Sequence, residues 1–235
     1  HRGDREAIAP PQARAFDVDD IATRDLPAAI DAVREETGFA RVLYVGHALG
    51  GQLLYAHMAH ARGDDLAAAV TLCAAVQFDR PRSGARMLPI VRALLPRRWS
   101  LPTRLAAKLA APGHRGLGEL SGELSRGMLL HGASDLGLGV ARQALLWVER
   151  GSLCDRDDRL DYVEALAGVP TPTLVVAARS DTVCPPDYAV GVLDHLPGEL
   201  LVVPGGHLDP LVGAGREQAW PALIAWLERH RRACW

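Results

Sequence analysis

Lysine is almost absent. Lys108 is the single one among 26 basic residues in a chain of 235 that carries 28 acidic ones. The formal net charge of −2 excludes a general nucleic-acid binder, which works by neutralising phosphates with surplus positive charge. Long apolar runs are missing too: none approaches the roughly 18 residues of a membrane span, so the chain reads as soluble with no transmembrane segment. Cysteine is scarce. Cys73, Cys154, Cys184 and Cys234 are far apart and form no CxxC pair, which points away from a zinc site or a disulfide framework and toward reduced thiols in a cytoplasm. No metal is expected. No positively charged apolar leader opens the sequence, and His1 stands where a methionine would start, so an upstream signal stays open. There is no internal repeat and no low-complexity tract.

What the chain does contain is alternation. Four short apolar runs, Val42–Val45, Ala67–Ala75, Thr173–Ala178 and Leu200–Val203, are bounded by turn residues and lack polar alternation. They read as strands of a parallel sheet buried on both faces. Helical patterns lie between and around them, at Asp25–Thr37, Gly51–Ala61, Asp187–His195 and Gln218–Arg231. Strand followed by helix, repeated, defines an α/β layered fold. From Arg80 to Asp161 the rhythm breaks: helical spacing in "MLPIVRALL", "LPTRLAAKLAA" and "GVARQALLWVER", cut by proline and glycine, with no strand. The expected organisation is a core of residues 1–79 and 162–235 with a helical cap, or lid, at 80–161.

Three loops that follow strands hold the candidate chemistry. "GHALGG" joins a strand to a helix, with Gly46 and Gly50 flanking position 48 at the spacing of a G-x-S-x-G nucleophile elbow. Small neighbours are needed there because the central residue sits on a tight turn and the helix passes close to the strand. The tip is Ala48, whose methyl group can neither attack nor donate. In "VVAARSDTVCPP", Asp181 ends a buried strand before a proline-marked turn; in "VVPGGHLDP", His207 sits just past the last strand. Elbow, acid and histidine therefore run in the chain order 48, 181, 207.

With these motifs in place, "DLPAAIDAVREETGFARVLYVGHALGG" and the later "GGHLDPLVG" resemble the α/β-hydrolase family, in particular its acid-lipase-like and polyhydroxyalkanoate-synthase-like branches. The resemblance implies a mostly parallel sheet flanked by helices. It places the family's nucleophile at Ala48, where serine is expected, the triad acid at Asp181 and the base at His207. The backbone N–H of Leu49 becomes an oxyanion donor, and His47 lines the same place. Relatives of this kind act on small-molecule or lipid esters without a cofactor. A serine would attack the ester carbonyl while histidine takes its proton and backbone N–H groups hold the oxyanion. With alanine at 48, an acyl-enzyme route is closed. The alternatives are a Ser-to-Ala variant of an ester hydrolase, a non-catalytic ligand-binding or regulatory pseudoenzyme, and a relative of acyltransferases or polyester synthases.

Several residues have plainer readings. Asp209, two residues on from His207, is placed to orient that histidine, against the plainer reading of a solvated turn carboxylate; His57, His60 and His131 read as ordinary helix positions. Cys184 lies near the acid loop but follows the wrong strand and lacks an elbow. Nine basic residues and no acidic one between Arg80 and Arg115 suit a basic cap that admits an acyl chain or touches anionic lipid, against the plainer solvated arginine face. Tyr44, Leu49 and the cap leucines suggest an apolar pocket. The opening "HRGD" resembles the segment after the fourth strand of this fold, so the first strands are expected to be missing, which would leave the elbow strand with an exposed edge.

Overall fold

The computed structural model describes residues 15–79, 87–96, 100–101 and 136–235. Its centre is a four-stranded parallel sheet. In chain order the strands are β1 (Val42–His47), β2 (Leu66–Leu72), β3 (Ser100–Leu101), β4 (Leu136–Gly137), β5 (Thr173–Ala178) and β6 (Gly198–Val203). β1, β2, β5 and β6 lie side by side in that order and all run the same way. A parallel sheet needs crossover connections that cover its faces. The helix Leu49–Ala61 links β1 to β2, and Pro186–Val190, running on into a 3₁₀ turn at Gly191–Asp194, links β5 to β6.

Burial separates the inner strands from the outer ones. Every residue of β2 and β5 is buried, which is why these segments are continuous apolar runs. β1 and β6 are the outer strands among the described residues, and both have exposed positions, including Val45 and Leu200. The expectation of two-sided burial therefore holds for the inner pair and fails for the outer pair, which have a neighbour on one side only. The run Ala67–Ala75 also ends as a strand at Leu72, three residues earlier than its apolar character suggests.

The expected absence of strands from 80 to 161 needs correction. β3 and β4 form a two-residue antiparallel pair, Ser100 with Gly137 and Leu101 with Leu136. Such short pairs have no room for an alternating pattern, so periodicity cannot reveal them. "GVARQALLWVER" does form a helix, Leu138–Arg150, and "MLPIVRALL" one at Leu88–Leu94; Arg92 ties the two together through Glu149 at 3.0 Å. The helix at 138–150 packs on the core. Its Val140, Leu146 and Trp147 belong to the same hydrophobic cluster as Val70, Val175 and Leu54 of the sheet and its covering helix. All of "LPTRLAAKLAA" after Leu101, with Trp99, Lys108, His131 and most of the basic stretch, lies outside the described residues. No described helix is long and apolar enough to cross a membrane.

Candidate active site

Parallel α/β sheets place their sites beyond the carboxyl ends of the strands, where the loops converge. Here those ends carry Ala48 after β1, Cys73 after β2, Asp181 after β5 and His207 after β6. Ala48 has φ 49° and ψ −117°, a left-handed backbone that an L side chain rarely adopts. Its N–H continues the sheet by donating to the Leu72 carbonyl at 2.9 Å, while its own carbonyl accepts from Gly51 and Gln52 and starts the helix. One residue thus ends a strand and opens a helix.

The glycines explain how so sharp a turn fits. A Cβ on Gly46 would lie 2.6 Å from the Gly50 carbonyl carbon and 2.7 Å from the Gly51 nitrogen; one on Gly51 would lie 2.5 Å from the Ala74 methyl. Gly50 has nothing nearer than the Tyr44 hydroxyl at 4.0 Å. The close approach of helix to strand therefore depends on Gly46 and Gly51, not on the motif's second glycine. Tyr44 braces the turn from below, its hydroxyl donating to the Gly50 carbonyl at 2.9 Å. Leu49 is the first helical residue, so its N–H has no carbonyl within the helix to bond.

Asp181 and His207 meet directly. Asp181 Oδ2 lies 2.8 Å from His207 Nδ1, and its Oδ1 accepts the N–H groups of Val183 and Cys184 at 2.8 Å each. Both side chains are buried. Burial by itself would raise the Asp181 carboxyl, but the bond to His207 and the two backbone donors hold it below the usual carboxylate range. An ionised Asp181 makes His207 Nδ1 the donor, which leaves Nε2 with the lone pair.

His47 joins the cluster from the elbow. Its Nε2 lies 2.9 Å from the His207 carbonyl, and the two imidazoles are 4.7 Å apart, centre to centre. A carbonyl only accepts, so Nε2 carries the proton and Nδ1 is the basic nitrogen. Burial lowers the His47 pKa, against the opposing pull of the His207 carbonyl and the Asp181 charge. This contact brings the elbow and the histidine loop together, so positions 48, 181 and 207 converge on one end of the sheet.

Two residues take places that their sequence context did not suggest. Asp209 is no solvated turn carboxylate: it is 1% exposed and accepts the Gly206 N–H at 2.6 Å. It pins the loop that carries His207. Cys73, unremarked in the sequence, follows β2 directly with φ 50° and interacts with the Asp181 carboxylate; burial, then that carboxylate, push its thiol far above the usual range. The overestimated length of β2 had hidden it, because a cysteine inside a buried strand reads as core. Cys184 stands apart from this role, its backbone N–H serving Asp181 and its thiol pushed up to about 12 by burial. His57 is a core residue bridging the Ala22 carbonyl and Asp65, and His60 packs edge-on against Tyr162.

A parallel sheet with a strained strand-to-helix turn and a buried acid–imidazole pair at its carboxyl end defines the hydrolase-type α/β class. The family model for the alpha/beta hydrolase fold matches residues 2–214, and the chain belongs to that family. Among solved structures, it is similar to an esterase from Thermogutta terrifontis, with 22% identity and TM-score 0.60 over 94% of this chain and 74% of that one. It is also similar to a monoacylglycerol lipase from Paleococcus ferrophilus, with 16% identity and TM-score 0.63 over 92% and 77%. A bromoperoxidase from Bacillus anthracis shares 18% identity and TM-score 0.61 over 97% and 79%. At such identities the likeness is one of fold. No curated protein matches the sequence.

Proposed function

We propose that this chain carries the site of a carboxylic-ester hydrolase of the Ser-His-Asp type, with Ala48 in the place of the attacking serine, and that as written it binds an ester without forming an acyl-enzyme. The observation that supports this reading is the 2.8 Å Asp181–His207 pair set beside a left-handed backbone at residue 48. Strain and a buried acid–base pair are both costly to keep, and together they suit one chemistry: activating a hydroxyl carried on the turn. In that scheme His207 Nε2 accepts the hydroxyl proton, Asp181 holds the ring and steadies the imidazolium, and the Leu49 N–H donates to the oxyanion. Small-molecule or lipid esters are the proposed substrates. The esterase and lipase among the structural neighbours are in keeping with that class.

Ala48→Ser tests the proposal. Loss of a triad nucleophile costs on the order of 10⁶ in turnover, so the serine variant should hydrolyse short chromogenic esters several orders of magnitude faster than the parent, with an initial burst of one product per site. His207→Ala in the serine background should abolish the gain. A serine variant that binds ester but shows neither burst nor turnover would overturn the reading in favour of a binding protein.

A further inference from the structure

The cluster behind position 48 contains more than a proton relay uses. One potential ligand atom from each of His47, Cys73 and His207 lies within 4.8 Å of the other two. His47 ends β1 and Cys73 continues the pairing of β2, while His207 lies in the loop after β6, where its ring is held by Asp181 and the loop by Asp209. Cys73 is held further by donating its N–H to the Val176 carbonyl at 2.8 Å, in a left-handed conformation that aims a side chain where a relaxed strand end would not.

The hydrogen bonds set the tautomers. Asp181 takes the Nδ1 proton of His207, and the His207 carbonyl takes the Nε2 proton of His47. Each ring is thus left with one bare nitrogen, and each is oriented by an oxygen on its far side. That is how metal-binding histidines are prepared: a carboxylate or backbone carbonyl fixes the protonated nitrogen and the other becomes the ligand. We propose that His47, Cys73 and His207 bind one borderline-soft divalent cation, zinc by class, through two imidazole nitrogens and one thiolate. Coordination releases the Cys73 proton to solvent. With Zn–N of about 2.0 Å and Zn–S of about 2.3 Å, tetrahedral ligand atoms stand roughly 3.5 Å apart. From separations within 4.8 Å the three ligand atoms must draw together on binding, and three protein ligands leave a fourth place for water.

The inference uses the Asp181–His207 placement but not the ester chemistry. It is tested with cobalt(II), a spectroscopically visible stand-in for zinc, titrated into the intact reduced protein. One equivalent should bind, with a sulfur-to-cobalt charge-transfer band in the near ultraviolet, and zinc should displace it. Cys73→Ser should lose the band while Cys184→Ser keeps it, and Asp181→Asn should weaken binding by about 10- to 100-fold through the unanchored His207 ring. X-ray absorption on the zinc complex of the unsubstituted protein, which needs no variant to fold, should show one sulfur and two imidazole nitrogens. Absence of the band, its survival in Cys73→Ser, or a zinc shell without sulfur would overturn the site. A metal bound here occupies the His207 nitrogen that ester hydrolysis needs as its base, so hydrolysis is read on chelator-treated protein: turnover by metal-free Ala48→Ser with no cobalt binding would sink this inference alone, and cobalt binding with no turnover by the metal-free variant would sink the ester reading alone.

Discussion

Two buried carboxylates invite comparison, Asp181 at the carboxyl edge of the sheet and Asp19 beneath the helix Leu138–Arg150. Both are held below the usual carboxylate range against the opposing effect of burial. Asp19 accepts from Tyr162 and Gln143 on one oxygen and from the Arg156 backbone and side chain, each at 2.9 Å, on the other. Arg156 also reaches Asp17 and Asp20. There the chain of bonds closes on a guanidinium, which does not give up its proton. Asp181 is equally well supplied, yet its partner is an imidazole with a second nitrogen still basic. A saturated carboxylate clamps two parts of the fold together. One that ends on a titratable ring leaves reactivity at the far side.

Breaking each carboxylate in turn should separate these roles. The largest effect is expected for Asp181→Asn in the Ala48→Ser background: wrong tautomer and lost orientation should lower kcat by on the order of 10⁴ in ester hydrolysis assays. Asp19→Asn in that background should leave kcat unchanged. Its cost should appear in urea unfolding, as a loss of about 1–3 kcal/mol, because the amide keeps one acceptor oxygen but turns an NH2 group toward donors that the second carboxylate oxygen had satisfied, while Arg156 keeps Asp17 and Asp20.

Acid sharpens the contrast. The folded-state pKa of Asp19 lies below its ordinary 3.8: burial raises it, but the Tyr162, Arg156 and Gln143 donors prevail. The unfolded chain therefore takes up the proton first, and stability is lost as pH falls through about 4 toward the folded value. Asp19→Asn should flatten that part of the stability profile. Smallest of all is the expected difference between two elbow glycines. Gly46→Ala meets backbone atoms at 2.6 to 2.7 Å and should cost about 1–3 kcal/mol. Gly50→Ala, with open space around it, should change the melting temperature little or raise it slightly.

Much of the sheet was legible because its signals are local. Thr173–Ala178 coincides with β5, and the helix pattern Asp25–Thr37 differs from the observed Leu26–Thr37 by one residue. The elbow could be read from glycine spacing, although the steric demand falls on Gly46 and Gly51, and not on the motif's second glycine, Gly50. Harder to read were features that depend on where a strand stops. β2 ends at Leu72 because the chain turns into the left-handed region at Cys73, and nothing in an apolar run marks that point. Asp209 looked like a solvated turn because its loop is rich in glycine and proline; its burial comes from packing between Gly205, Gly213 and Gly215. The clamp at Asp19 was invisible for a different reason. It joins residues more than a hundred positions apart, and pattern within a window carries no information at that range.

The sequence by itself determined the order of strands and helices, the sharp turn at residue 48 and the chain order of its acid and histidine, since each rests on periodicity or on the backbone freedom of a nearby residue. Only the tertiary structure decided which groups meet: His47 with the His207 carbonyl, Cys73 with Asp181, Asp19 with Arg156. The physical reason is that strand-end neighbours in a parallel sheet are set by lateral hydrogen bonding between distant segments. The side chains that share a site are chosen by that pairing and by the last residue of each strand, neither of which a local pattern encodes.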